Sequence, residues 1–132
     1  TYIFQNPVAK DWLNGFLHPL IRQEIRRRCA AAADPYAILV APLLLENHLD
    51  TLVNRVLTID VSETTQIQRT CARDGNTESL VRQIMASQLS RSERQQRSDD
   101  LLLNENVDMM ALRNEVKQLH QRYLTFASQQ AS

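Results

Sequence analysis

The 132-residue sequence predicts an α/β domain with a parallel sheet. Three observations point there. Helical repeats alternate with three short apolar runs, at residues 38–40, 55–60 and 101–103, instead of segregating from them. Ile38, Leu39 and Val40 are continuous rather than alternating, the pattern of a strand covered by helices on both faces. Beyond that run Pro42 removes a ladder donor and Glu46 follows three leucines, so a carboxylate is delivered past the carboxyl end of a strand, where open α/β sheets gather their ligands. A lone carboxylate there is costly unless it meets a cation, a metal or a hydroxyl donor.

The elements follow in order. Asn6-Pro7 starts a helix, and Trp12, Leu13, Phe16 and Leu17 give it an apolar face until Pro19 interrupts. A second helix carries Ile21, Ile25 and Cys29 every four residues, with Arg22, Arg26, Arg27 and Arg28 on its wet side. Asp34-Pro35 ends it and leads into the first strand. Residues 55–60 form the next strand, through Val56, Leu57 and Ile59. Ser62 caps a helix that ends at Asp74-Gly75-Asn76, and Thr77 caps another whose apolar side is Leu80, Val81, Ile84 and Met85. Residues 90–98, polar and rich in arginine, make a short exposed helix. Leu101, Leu102 and Leu103 form the third strand, ended by Asn104-Glu105-Asn106. Leu112, Val116, Leu119, Tyr123 and Phe126 mark a long final helix.

Length and composition set limits. The chain suffices for one domain with a core and is too short to expect two. Its zero formal net charge gives no electrostatic case for nucleic acid as the main partner. Thirteen of its 15 basic residues are arginine, a planar fork suited to phosphate and carboxylate; genomic composition would produce the same bias. Cys29 and Cys71 have no Cys or His at metal-ligand spacing, so neither a disulfide framework nor a zinc site is indicated, and reduced thiols fit best. No apolar run approaches the roughly 20 residues of a membrane span, and no signal peptide is read at the start; the expectation is a cytoplasmic protein without a membrane partner. With glycine only at positions 15 and 75, no glycine-rich phosphate turn can be drawn.

Candidate chemistry is sparse. Arg69 and Arg73 stand one helical turn apart, so two guanidinium groups can converge on one polyphosphate; a solvated helical face has the same composition. Residues 66–98 hold six arginines against three acidic residues, the balance of a flap over phosphates. His18-Pro19 can bond a ligand or tie off a helix end. Asp99-Asp100 and Asn104 flank the third strand as turn and capping residues, or the Asn104 amide reads the edge of a base. No Ser-His-Asp or Cys-His arrangement is present as a local motif.

Taken together and in order, Leu17-His18-Pro19, Pro42-Leu43-Leu44 with Glu46, Ile59-Asp60-Val61-Ser62, residues 66–74, Gln88, and Asp99-Asp100 to Asn104 resemble the dephospho-CoA kinase family. The resemblance spans essentially the whole chain, which corresponds to about the last two-thirds of such an enzyme. It implies a P-loop NTPase-like three-layer α/β/α fold with a parallel sheet, incomplete at the amino terminus. Residues 1–34 would be a helical CoA-side segment and 35–132 the remainder of the kinase core, with a lid at about 66–98. The implied activity transfers the γ-phosphoryl of ATP, with Mg2+, to the 3′-hydroxyl of dephospho-CoA, completing coenzyme A synthesis. His18, Pro42, Leu43, Leu44 and Glu46 would face the substrate; Arg69, Arg73, Gln88 and Asn104 would face ATP.

Departures from the family pattern accompany this. The Gly-x-x-x-x-Gly-Lys-Ser/Thr loop and the strand bearing an Asp-x-Asp element are absent, so no catalytic or metal-binding residue is assigned and the chain reads as truncated. Ser98 stands where alanine is usual and Asn106 where glycine is usual. The missing strand would leave residues 38–40 and 56–59 without a shared neighbour, which predicts self-association. The alternative function is a non-catalytic CoA- or nucleotide-binding or interaction module.

Overall fold

Pro7 opens the first helix where its missing N–H costs nothing, and α1 (Pro7–Ala31) runs unbroken in the computed structural model, which describes residues 7–105 and 108–131. Asn6 and Asn106 lie outside the described residues. The interruption expected at Pro19 is not made, because the proline stands inside α1. Its fixed φ is itself a helical value, and the flanking Leu, Ile, Arg, Gln and Glu residues favour helix, so the hydrogen bond to the Gly15 carbonyl is forgone while the helix continues. Glu24 accepts from Arg27 (2.5 Å) and Arg28 (2.8 Å) on the following turn. Val8, Trp12, Phe16 and Leu20, four residues apart, remain more than half exposed, with the Trp12 and Phe16 rings stacked at 5.9 Å.

Residues up to Ile38 form one unit and residues from Leu39 onward another, each described by itself. The strand expected at residues 38–40 is not formed: Ile38 and Val40 stand 75% and 85% exposed and neither belongs to a ladder. An extended segment becomes a strand only when a neighbour takes its N–H and C=O groups. Among the described residues the two strands present pair only with each other.

The second unit opens with a wound turn after Pro42, where Asn47 N–H bonds the Leu43 carbonyl (3.0 Å) and Leu49 N–H the Leu44 carbonyl (2.8 Å), burying Leu45. His48 adopts a left-handed backbone (φ 56°) before the 3-10 turn Leu49–Leu52. Next come β1 (Leu57–Asp60), α2 (Glu63–Asp74), α3 (Glu78–Ala86), α4 (Arg91–Gln96), β2 (Asp100–Leu103) and α5 (Met109–Ala131). The caps read from sequence at Ser62 and Thr77 are made: Ser62 Oγ accepts from Thr65 N–H and Thr77 Oγ1 from Leu80 N–H. Ser90 Oγ likewise accepts from Glu93 N–H, within a full capping box. Gly75 ends α2 at φ 69°, a value that suits glycine.

β1 and β2 are parallel neighbours, with Leu57 opposite Asp100 and Asp60 opposite Leu103. The α/β class and the parallel sheet are therefore present, with two strands among the described residues in place of three. α3 packs on α2, and α4 packs against β1. Leu45, Val56, Ile67, Val81, Leu102 and Leu119 supply the buried apolar side chains. Truncating one of them, such as Leu102→Ala, costs about 2–5 kcal/mol. Leu80 and Ile84, expected on the buried side of α3, stay 43% and 46% exposed.

Candidate functional site

Parallel strands bring their carboxyl ends to one side of the sheet, and here that side collects Asp60 and Asn104. The Asn104 N–H continues the ladder onto the Asp60 carbonyl (2.9 Å). The Asp60 carboxylate, on a buried residue, takes a two-pronged contact from Arg91 (Nε–Oδ1 3.0 Å, Nη2–Oδ2 3.2 Å) and a third from Gln95 Nε2 (2.9 Å). Arg91 beside it holds the Asp60 carboxyl below the usual carboxylate range, with Gln95 adding to this against the opposing effect of burial. Asp60 thereby fastens the arginine-rich helix α4 to the end of β1.

The loop after β2 is fastened as well. Arg69 Nη1 on α2 donates to the Asn104 carbonyl (2.8 Å). Glu105 accepts from Ser62 N–H (3.0 Å), from Ser62 Oγ (2.5 Å) and from Thr65 Oγ1 at the first turn of α2. These hydrogen bonds, Ser62 foremost, hold the Glu105 carboxyl below its ordinary range. Among the described residues the half-buried Asn104 amide has no hydrogen-bond partner.

A cavity of about 400 Å³ opens between α2, α3 and α4, lined among others by Gln66, Arg82, Gln88, Arg91 and Arg94. Glu63 and Glu93 share this lining, and Arg82 and Arg91 are already paired with Glu78 and Asp60, so the wall is rich in donors, with Arg94 as its one guanidinium outside an ion pair among the described residues. Arg91 and Arg94 were not singled out by the sequence reading; their spacing three residues apart behind Gln88 was the available signal.

The candidates named from sequence fall in different places. Arg69 reaches Asn104, but Arg73 turns to its neighbour Asp74 (2.8 and 3.0 Å), so the two guanidinium groups do not converge. Arg69, one turn back, is a like charge that repels Arg73, whereas the Asp74 carboxylate attracts it. Gln88 lines the cavity, whereas Glu46 caps the segment beneath it by accepting from Leu89 N–H (3.3 Å). The carboxylate thus meets a backbone donor where a cation, metal or hydroxyl was expected. Pro42 and Leu43 are exposed and Leu44 half-buried in the turn that leads to Glu46. His18 is exposed on α1, within a continuous helix instead of at a junction. Asp99 and Asp100 exceed turn residues: Asp99 accepts from Val56 N–H (2.7 Å), and the buried Asp100 collects Arg55, Arg122 and Tyr123.

The chain matches the dephospho-CoA kinase family model over residues 1–109. The chain belongs to the dephospho-CoA kinase family. A dephospho-CoA kinase of Aeromonas hydrophila is 55% identical over 130 residues, covering 98% of this chain and 64% of the relative. One from Idiomarina loihiensis is 52% identical, covering 92% and 60%. The chain thus spans somewhat under two-thirds of the length of these relatives. In structure it is similar to TT1252 from Thermus thermophilus, with a TM-score of 0.78 and 21% identity over 92% of this chain and 63% of that one. That likeness shows a shared fold.

Ser98 hydrogen-bonds the Thr58 hydroxyl of β1 and donates to the Arg94 carbonyl (2.7 Å). No helix among the described residues is long and apolar enough to cross a membrane.

Proposed function

We propose that this chain forms the nucleotide and acceptor walls of a dephospho-CoA kinase, which transfers the γ-phosphoryl of ATP to the 3′-hydroxyl of dephospho-CoA. The observation that carries this reading is the family match across residues 1–109. The arginine-lined cavity and the Arg69–Asn104 contact at the strand ends agree with it. In phosphoryl transfer the protein contributes chiefly position and charge stabilisation. Arg91 and Arg94, with Arg69, would hold the phosphates and Arg73 would add charge from the margin; Gln88 would line the cavity beside Arg91 and Arg94, and Asn104 would meet the adenine.

Arg69 spends one N–H on Asn104, and a guanidinium has five to offer. His18, Pro42, Leu43, Leu44 and Glu46 would serve the acceptor side, with residues 1–34 as the CoA-side segment and 66–98 as the lid. Mg2+ would accompany ATP and neutralise charge on its phosphates. A cytoplasmic location and self-association through the exposed apolar segments belong to the same proposal.

Calorimetric titration with ATP and with dephospho-CoA, followed by assay for phosphorylated product, tests it. Binding of both nucleotides is the expected result, and binding of neither would sink the reading. A second reading, a binding module without turnover, is favoured by one observation: with glycine only at positions 15 and 75, these 132 residues contain no phosphate-cradling loop. Binding without product would select it.

A further inference from the structure

The loop that follows β2 is tied to its surroundings at two successive residues. Asn104 is held through both backbone groups, its N–H by the Asp60 carbonyl and its carbonyl by Arg69. Glu105 is then held through its whole carboxylate: one oxygen takes Ser62 N–H, and the other takes the Ser62 and Thr65 hydroxyls. Ser62 is the capping residue of α2, and Arg69 stands two turns further along the same helix. Glu105 places its negative charge where the helix dipole favours one, although it comes from a segment 40 residues away. The loop is therefore clamped along α2 at two points, one on the Asn104 carbonyl and one on the Glu105 carboxylate.

We propose that Glu105 is a positioning residue for base discrimination: by pinning the loop to Ser62 and Thr65 it fixes the orientation in which the Asn104 amide meets a purine edge. The inference rests on the reading of Asn104 as the base contact. An asparagine amide pairs bidentately with the N6 amine and N7 of adenine. Guanine presents two acceptors, O6 and N7, along the same edge, so a fixed amide carbonyl faces O6 and repels it. A loop free to shift would let the amide turn or withdraw, and the penalty against guanine would fall. Glu105 touches neither base nor phosphate in this role; it acts through Asn104.

The test is equilibrium titration of the 132-residue chain and of its Glu105→Ala, Glu105→Gln and Asn104→Ala variants with ATP and with GTP, both as Mg2+ complexes. Wild type is expected to prefer ATP by roughly tenfold or more, the scale of one bidentate base contact. Glu105→Ala should reduce the preference to about threefold or less, chiefly by strengthening GTP relative to ATP. Glu105→Gln keeps one carbonyl acceptor for Ser62 N–H and should recover part of the preference. Asn104→Ala should abolish it, and adding Glu105→Ala should then change nothing further, because the two act as one unit.

Faster amide exchange at Ser62 with unchanged helical circular dichroism would show that the clamp opened in a folded chain. A merely structural glutamate would alter stability without altering the ATP-to-GTP ratio. An unchanged ratio in both Glu105 variants would overturn the proposal and leave the nucleotide reading intact. Failure of the wild-type chain to bind ATP, or equal binding of ATP and GTP, would overturn the base contact and this inference with it.

Discussion

Asp60 and Arg91 form a two-pronged ion pair at 3.0 and 3.2 Å that joins the last residue of β1 to the first residue of α4, 31 positions later. The aspartate is almost enclosed and the arginine about one-third exposed, so the geometry is set from the strand side. Removing the aspartate charge should free α4 while leaving the sheet paired. Asp60→Asn is expected to lower Tm by a few degrees and to speed amide exchange in Arg91–Gln96 more than in β1. Because the folded carboxyl lies below its unfolded range near 3.8, the contribution is full above that value and is lost as pH falls through the lower folded one. The Tm difference between wild type and Asp60→Asn should therefore shrink between neutral pH and about pH 3.

Asp100 is the more enclosed hub, its side chain 2% exposed. It accepts from Arg55 (3.1 and 3.2 Å), Arg122 (2.7 Å) and Tyr123 (2.9 Å), and Arg55 also lies over the Phe126 ring at 5.2 Å. Asp100→Asn should destabilise the second unit by roughly 2–3 kcal/mol, under the figure for fully enclosed pairs because Arg122 is more than half exposed. Urea unfolding measures this. A loss under about 0.5 kcal/mol would mean that the hub contributes only geometry.

Tyr123 offers a spectroscopic check on the same hub. Burial, and next the hydrogen bond to Asp100, push its hydroxyl from 10.0 up to about 12. The folded chain then keeps this proton longer than the unfolded one, so the associated stability is full below about pH 10 and falls as pH rises toward 12. Ultraviolet titration of wild type against Tyr123→Phe should assign the latest-ionising tyrosine to this position, and Asp100→Asn should bring that ionisation to lower pH.

Arg69 and Arg73 should not be equivalent. Arg69 is directed at the strand ends, whereas Arg73 is committed to Asp74 on the surface. Arg69→Ala is expected to weaken ATP binding by about tenfold or more and Arg73→Ala by about threefold or less, read by calorimetry. Arg69→Lys should recover only part, having charge without the fork. Equal losses in both alanine variants would favour the convergent clamp read from sequence.

Ile38 and Val40 are apolar, exposed and outside any ladder, while Leu57, Ile59, Leu101 and Leu103 on the sheet are 38%, 55%, 47% and 45% exposed. Unpaired strand edges with this composition associate. The purified chain should sediment as a concentration-dependent mixture, and Val40→Lys should shift it toward monomer. A monodisperse wild-type monomer would contradict the expectation.

The residue order alone determined much of what has its cause within one helical turn, although the continuity of α1 through Pro19 and the Arg73–Asp74 pair, both local, were not read from it. Ser62, Thr77 and Ser90 cap their helices through a donor three residues ahead, Gly75 supplies the left-handed stop, and alternating helical and apolar runs give the α/β class. The ordered motifs were also sufficient to indicate the family. Tertiary structure alone decided what depends on a distant partner. Residues 38–40 have strand composition but no ladder partner among the described residues, so composition could not make them a strand. Pro19 was read as a break because the sequence shows the missing donor and not the helix-compatible φ on either side of it. Asp60 with Arg91, Asp100 with Arg55, and Glu105 with Ser62 join residues 31 to 45 positions apart. A carboxylate in a turn looks the same in sequence whether it faces water or a guanidinium, and only the packing of α4, α5 and the loop after β2 tells these cases apart.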